Sequence, residues 1–338
     1  MFSPTRALGS LNLVVIASFF VSLSATAELS PQTIQKLMEL DRGVSRWAPT
    51  KDGVMALDPK GQQADILERS GLLCLYGDIA RCADVRDSQD EEGRFWRSPQ
   101  LKHNDPENSF SRDQLNGVFA YLIATRDTGA AERLFDYIET HDRKFCADAT
   151  DNRCDPVADT WGMMYEIWRY LGLKRTWKMF KGSLFDDTNT DAGMRVVRRG
   201  YELTNYVYTV LLRQRLGKSS KKMTSAAETA AIREPLNFMA VFAAEGPSEN
   251  AAKRVLDICT PDRAIPDYTL SYLFPWDHVW NRALERNSFT GEVMIFADSI
   301  NLFADATKME YYRRRSVPAK YVVDGWDCLI GARLLLSS

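Results

Sequence analysis

Apolar residues recur at three- and four-residue steps along most of the chain, a spacing typical of amphipathic helices. The clearest stripe consists of Leu115, Val118, Phe119, Leu122 and Ile123. Ser111 precedes it and Gln114 follows three residues later, a capping-box pattern that marks a helix start. A second stripe begins directly after residues 126–129, and so short a turn makes the two helices antiparallel neighbours.

The same helix–turn–helix pattern returns later in the chain. Residues 238–244 and 250–258 predict two helices joined by a turn at 245–248, and residues 250–257 repeat 129–136 weakly. Further helices are expected at 31–46, 61–75, 157–172, 191–216, 224–235, 278–286 and 291–305. Strands are expected at 320–323 and 328–336, although a helix fits the second segment equally well.

Two long irregular stretches, 83–108 and 259–277, separate these helices and are rich in Pro, Asp, Asn and aromatic residues. Loops of this length in a compact domain are usually functional or disordered, and their tryptophans argue against disorder. The pattern therefore predicts an all-α or nearly all-α fold: antiparallel helical hairpins in an α/α toroid or α-solenoid with long aromatic loops.

The N-terminus has the parts of a secretory signal. Arg6 is the only charge before the apolar run 11–23, and Ala-Thr-Ala at 25–27 supplies the cleavage pattern. The run is short for a bilayer span, although an uncleaved anchor is the alternative. We expect a signal peptide over residues 1–27 and one helical domain over 28–338, periplasmic or secreted and not membrane-spanning after cleavage.

Six cysteines, an even number, favour disulfides in an exported protein. Two pairs are each eight residues apart around polar, turn-like segments, which leaves a third pair. The predicted bonds are Cys74–Cys82, Cys146–Cys154 and Cys259–Cys328. A zinc site is the weaker reading because no C-x-x-C or H-x-x-x-H spacing occurs. We therefore predict no metal and no cofactor.

The first candidate site combines Gly-Arg-Phe-Trp-Arg-Ser-Pro at 93–99 with Asn-Ser-Phe-Ser-Arg-Asp-Gln at 108–114. This aromatic loop leading to an Arg-Asp pair at a helix start resembles loops of α/α-toroid glycoside hydrolases and polysaccharide lyases. The resemblance implies that Trp96 stacks on a sugar while Arg112 and Asp113 act at the helix end. Asp113 suits a base, nucleophile or clamp, because a helix N-terminus stabilises the ionised carboxylate. The alternative is that Asp113 only complements the helix dipole or pairs with Arg112.

The second candidate is Phe-Pro-Trp-Asp-His-Val-Trp at 274–280. Trp276 and Trp280 would share one helical face and offer rings to a sugar, while Asp277 or His278 would transfer protons. The alternative is that Asp277 caps a helix and the tryptophans are core residues.

Weaker signals surround these two segments. Asp159 lies close to Trp161, and Asp327 follows Trp326, which adds two further Trp–acid neighbourhoods. The acidic loop 148–155 has ligand oxygens for calcium but lacks EF-hand spacing, so an ordinary solvated loop is the alternative.

Charge is distributed unevenly although the formal net charge is only −2. Residues 169–222 hold 13 basic and 4 acidic side chains, whereas 78–159 hold 18 acidic and 11 basic ones. This asymmetry would steer an anionic glycan into a cleft, or it reflects an ordinary solvated face. Nucleic-acid binding is not indicated, since no recognition motif accompanies the near-neutral charge.

The sequence therefore predicts an exported enzyme that hydrolyses or eliminates across a glycosidic bond. Its paired carboxylates would be Asp113 and Asp277, with His278 as a proton carrier. The tryptophans lining the cleft would be Trp96, Trp161, Trp276 and Trp280. The alternative is a non-catalytic helical-repeat protein that binds an envelope glycan or a protein partner.

Overall fold

The computed structural model describes the chain from residue 29 to 337 with gaps. The described ranges are 29–46, 48–56, 61, 63, 66–105, 110–147, 152–184, 186–196, 200–233, 238–256, 259 and 326–337. The predicted signal segment, the helices expected at 278–286 and 291–305, and the strand expected at 320–323 lie outside these residues.

The described residues contain thirteen α-helices and one small hairpin, which confirms the all-α class. The helices are α1 (Pro31–Ser45), α2 (Leu67–Leu75), α3 (Ile79–Asp87), α4 (Arg112–Thr125), α5 (Thr128–Thr140), α6 (Ala158–Leu171), α7 (Trp177–Ser183), α8 (Asp186–Val196), α9 (Gly200–Arg215), α10 (Lys221–Arg233), α11 (Phe238–Glu245), α12 (Glu249–Leu256) and α13 (Trp326–Leu336). The hairpin pairs β1 (Thr50–Lys51) with β2 (Val54–Met55). Two 3-10 turns occupy Pro99–Leu101 and Asn152–Cys154. No helix among the described residues has both the length and the apolar character that a bilayer crossing requires.

Two local predictions need correction, and the open choice between strand and helix at 328–336 is resolved. The stretch 83–108, expected to be irregular, begins inside helix α3. Asp78 is the N-cap of this helix, and its side chain accepts a hydrogen bond from the Arg81 amide at 3.2 Å. The expected helix 191–216 is two helices, α8 and α9. The segment 328–336 is helical. The short helix α7 and the hairpin were not predicted, although Asp52 and Gly53 both have positive φ at the hairpin turn, a conformation that Asp-Gly favours.

Helices α2 and α4 pack backbone against backbone. A Cβ on Gly71 would collide with the Gly117 carbonyl, and a Cβ on Gly117 would collide with the Leu67 carbonyl. Every residue of α2 is buried. The two glycines therefore allow a helix crossing that no larger residue would permit.

The C-terminal helix α13 closes against the N-terminal part of the fold. Arg333 contacts Asp41 of α1, with Nε 2.9 Å from Oδ1, and also pairs with Asp78 before α3. Trp326 donates its indole N–H to the carbonyl of Ala56 at 2.8 Å. These contacts tie together segments nearly three hundred residues apart in sequence.

All three predicted disulfides are confirmed. The Cα atoms are 4.7 Å apart for Cys74–Cys82, 5.6 Å for Cys146–Cys154 and 5.7 Å for Cys259–Cys328. In the chain-entropy model the two short loops contribute about 2–3 kcal/mol each and the long one about 4 kcal/mol. The last bond joins α13 to Cys259, three residues beyond α12, and so reinforces the closure of the fold.

A buried acid, Asp84, links α3 to the hairpin and to α2. Its Oδ2 lies 2.9 Å from Arg81 Nη1 and accepts hydrogen bonds from the Ser70 hydroxyl at 3.0 Å and the Met55 amide at 3.3 Å. Burial raises the pKa of Asp84 from 3.8 to about 6, against the opposing effects of Arg81 and the two hydrogen bonds.

This raised pKa predicts a stability that increases as the pH falls. Because the folded state holds the Asp84 proton below about pH 6 and the unfolded state only below 3.8, the free energy of unfolding should rise between these values. Between pH 7 and pH 4.5 the wild type should gain about 2 kcal/mol from this group. Asp84→Asn should lack this gain. The free energy of unfolding of the wild type minus that of the variant, measured with urea, should therefore be about 2 kcal/mol larger at pH 4.5 than at pH 7. A difference that stays constant across this range would contradict the prediction.

Candidate functional site

A cavity of about 460 Å³ lies between α4, α6 and α9. Two acids from the sequence analysis, Asp113 and Asp159, line it together with Arg112. The remaining lining residues are Leu115, Asn116, Phe119, Val157, Thr160, Met163, Asn205, Tyr206 and Thr209. The structure thus brings together two acids that lie far apart in sequence.

Both acids occupy the first turn of a helix. Asp113 follows Arg112 at the start of α4, and Asp159 is the second residue of α6. Neither N-cap residue, Ser111 or Val157, caps its helix with a side-chain hydrogen bond. Two helix N-termini therefore line the same cavity, and their partial positive charge stabilises ionised carboxylates there.

A buried guanidinium adds positive charge close to Asp159. Burial lowers the pKa of Arg213 on α9, while the carboxylates of Glu166 and Asp159 raise it. The Asp159 carboxylate is therefore attracted by Arg213 and can accept hydrogen bonds or hold a positive group of a ligand.

The α9 wall was missed by the sequence analysis. Asn205, Tyr206 and Thr209 face the cavity from one side of this helix. A Cβ on Gly193 of α8 would collide with the Tyr206 ring, so the glycine leaves room for that ring beside the cavity. The signal was present as polar residues at positions 205 and 209, four apart and so on one helical face.

The inner wall of the cavity is apolar. Leu115, Phe119 and Met163 line it and are otherwise buried in the protein core. An apolar wall combined with a few polar groups is typical of small-molecule sites. The arrangement suits a ligand that has both hydroxyl groups and apolar surface.

Trp96 lies in a second cavity, of about 370 Å³, that also contains His103 and His141. Its side chain is 8% exposed and donates its indole N–H to Asp90 Oδ2 at 2.7 Å. The Arg94 guanidinium lies 3.7 Å from the centre of its ring. A sugar would have to displace Arg94 to stack on that face, and the first cavity does not include Trp96.

Trp161 lies where α6 packs against α7. The Trp161 Cβ packs against Gly182 of α7 so closely that a Cβ added to Gly182 would lie 2.5 Å from it. Lys178 Nζ lies 5.7 Å from the centre of the Trp161 ring. The neighbouring residues Asp159 and Thr160 line the cavity. Trp161 is therefore placed as a packing residue between two helices.

The second sequence candidate is outside the described residues. Trp276, Asp277, His278 and Trp280 lie between 260 and 325, so their roles stay predictions. Residues 148–151 of the acidic loop are also outside. Within the described part, no three His, Cys, Asp or Glu side chains form a group that could hold a metal ion.

Comparison of the chain with protein-family models, with curated proteins and with solved structures gives no match. A function for the protein is therefore inferred from the cavity between α4, α6 and α9.

The position of Tyr206 can be tested through the glycine beneath it. Gly193→Ala should lower the free energy of unfolding by about 1–3 kcal/mol, because the new methyl group overlaps the ring. The matched control is Gly129→Ala in α5, where a Cβ meets only flexible side-chain atoms of Arg133 and Asp127. That control should be neutral or stabilising by up to about 1 kcal/mol. Equal urea-unfolding curves for the two variants would contradict this placement of Tyr206.

Proposed function

We propose that the protein is an exported glycan-active enzyme whose site is the cavity between α4, α6 and α9. The observation that carries the proposal is that Asp113 and Asp159 line one cavity together with amide, hydroxyl and apolar groups. The α/α-toroid arrangement and the periplasmic or secreted location are parts of the same proposal. The three disulfides support an oxidising compartment, where such bonds form and persist.

The cavity chemistry favours a saccharide. Carboxylates, the Asn116 and Asn205 amides and the Thr209 hydroxyl can each exchange hydrogen bonds with sugar hydroxyls. Phe119 and Met163 can contact the apolar face of a sugar ring. The volume lies within the usual range for small-ligand sites.

Glycosidic cleavage requires a base or nucleophile and a proton donor. Asp113 is assigned the first role, because its carboxylate lines the cavity at the start of α4. Asp159 is assigned to ligand binding, since Arg213 attracts its carboxylate. The proton donor would be Asp277 or His278, as the sequence suggests, because the two described acids of this cavity are assigned the other roles.

One observation favours a second function, saccharide binding without cleavage. Both acids that line the cavity lie in first helical turns, beside backbone N–H groups that lack an intrahelical partner. Carboxylates placed in this way accept hydrogen bonds from sugar hydroxyl groups, and binding alone requires no group that protonates a leaving group. The distinguishing property is turnover.

The test is a panel of neutral and anionic oligosaccharides, assayed for new reducing or unsaturated ends and, in parallel, for binding by calorimetry. Asp113→Asn keeps the shape but removes the charge, so cleavage should fall by about 10³-fold while affinity changes by about tenfold or less. Asp136→Asn, an exposed acid of α5, is the matched control and should behave as the wild type.

Binding without turnover in the wild type would establish the second function instead. If no oligosaccharide binds, or if Asp113→Asn cleaves as fast as the Asp136→Asn control, the proposed site is wrong.

A further inference from the structure

The outer face of α7 exposes large apolar residues in a folded helix. We call Trp177, Phe180, Lys181 and Leu184 the α7 surface; they lie three, four and seven residues apart and so share one helical face. Trp177 is 66% exposed and Leu184, the C-cap residue, is 59% exposed. Apolar exposure of this size on a short helix needs a physical reason.

The opposite face of α7 is fixed to the protein. Met179 is fully buried, and Gly182 packs so tightly on α6 that a Cβ there would come within 2.7 Å of the Ala158 carbonyl oxygen. The N-cap Thr176 accepts a hydrogen bond from the Met179 amide at 3.4 Å. Because this face is held inward, the α7 surface stays turned outward.

Basic side chains predominate in the segment that carries the α7 surface. Residues 169–184 contain five basic side chains and no acidic one, and Asp186 and Asp187 follow this segment. Glu166 and Glu139 from neighbouring helices offset two of them, with Arg169 at 4.0 Å and Lys178 at 3.6 Å. The other three basic residues are Lys174, Arg175 and Lys181. The segment is therefore an apolar protrusion with a net positive border.

We propose that the α7 surface binds the interface of an anionic phospholipid bilayer. Tryptophan is favoured at the level of the lipid headgroups, and an adjacent leucine adds apolar area that enters the acyl boundary. Lysine and arginine at the border are attracted to anionic headgroups. Charge and apolar exposure are thus both accounted for by one partner.

An anionic polysaccharide is the main competing partner and fits the α7 surface less well. Sugars stack on open ring faces, but Phe180 already stacks on Trp177 with centroids 5.1 Å apart and an interplanar angle of 25°. Lys181 Nζ also lies 5.7 Å from the centre of that ring. Exposed Leu184 has no role in polysaccharide binding, whereas a lipid interface buries it.

Helix α7 packs against α6, one of the helices that line the cavity. Helix α6 supplies Asp159 and Thr160 to the cavity, while Trp161 and Tyr165 of the same helix contact residues of α7. A bilayer bound to α7 would therefore hold the cavity close to the membrane surface. The lipid proposal does not depend on the saccharide proposal, because its residues do not line the cavity and vesicle binding is measured without a cavity ligand.

The experiment is co-sedimentation of the purified protein with vesicles of phosphatidylcholine alone or mixed with phosphatidylglycerol. Binding should require phosphatidylglycerol and should weaken in high salt, since charge attraction is screened. Trp177→Ser combined with Leu184→Ser should reduce partitioning by about tenfold or more, because the apolar contribution is lost. Lys181→Glu should reduce it by about tenfold, through the charge alone.

Matched controls distinguish binding through the α7 surface from nonspecific adsorption to vesicles. Ile232→Ser removes an 81% exposed apolar residue of α10, and Lys36→Glu reverses an exposed charge of α1; both should bind as the wild type. Circular dichroism melting should show all variants folded.

Three results would overturn the proposal. The first is equal binding to neutral and anionic vesicles, and the second is loss of binding in the controls to the same degree. The third is failure to bind the phosphatidylglycerol vesicles, and Trp177-dependent binding of heparin, a soluble anionic polysaccharide, would then identify a polysaccharide as the partner.

Discussion

The crossing of α2 and α4 at Gly71 and Gly117 is the constraint on which the described structure depends most. Each glycine faces backbone of the other helix, so neither position has room for a side chain. This close approach buries α2 completely and brings the start of α4 to the cavity wall. It also presents the Glu68 carbonyl of α2 to the Tyr208 hydroxyl of α9 at 3.0 Å. Two of the three helices around the cavity, α4 and α9, are thereby tied to one buried centre.

From this centre, local chemistry determines what the cavity can bind. Helices α4 and α6 both begin at the cavity, and each carries an acid in its first turn. Each acid lies beside the backbone N–H groups of its helix start, and Arg213 attracts Asp159. A charged polar rim over an apolar inner wall is the basis of the saccharide proposal. The same helix α6 anchors α7, so the proposed lipid contact and the cavity share one rigid element.

Sequence patterns were sufficient for features determined locally or by cysteine spacing. Most helices and all three disulfides were predicted, and Asp113 was selected because a helix start was visible before it. Helix α3 was missed because it is only nine residues long, four of them charged, and its hydrophobic periodicity is weak. Asn205 and Tyr206 were missed because only tertiary packing shows which face of α9 meets the cavity. The contact between Gly71 and Gly117 was not predicted for the same reason, because a glycine within a helical pattern does not show which helix packs against it.

The central claim is that the ligand occupies the cavity between α4, α6 and α9, and methyl NMR tests it most directly. The chain has 11 methionines, of which Met163 lines the cavity and Met38 of α1 is exposed elsewhere. The methionine methyl groups are labelled with carbon-13, and the Met163 resonance is assigned as the one that Met163→Leu removes. An oligosaccharide that binds the protein is then titrated into the sample. The account predicts that the Met163 resonance moves with saturation while Met38 does not. A saturating ligand that shifts other methyl groups and leaves Met163 unchanged would contradict it.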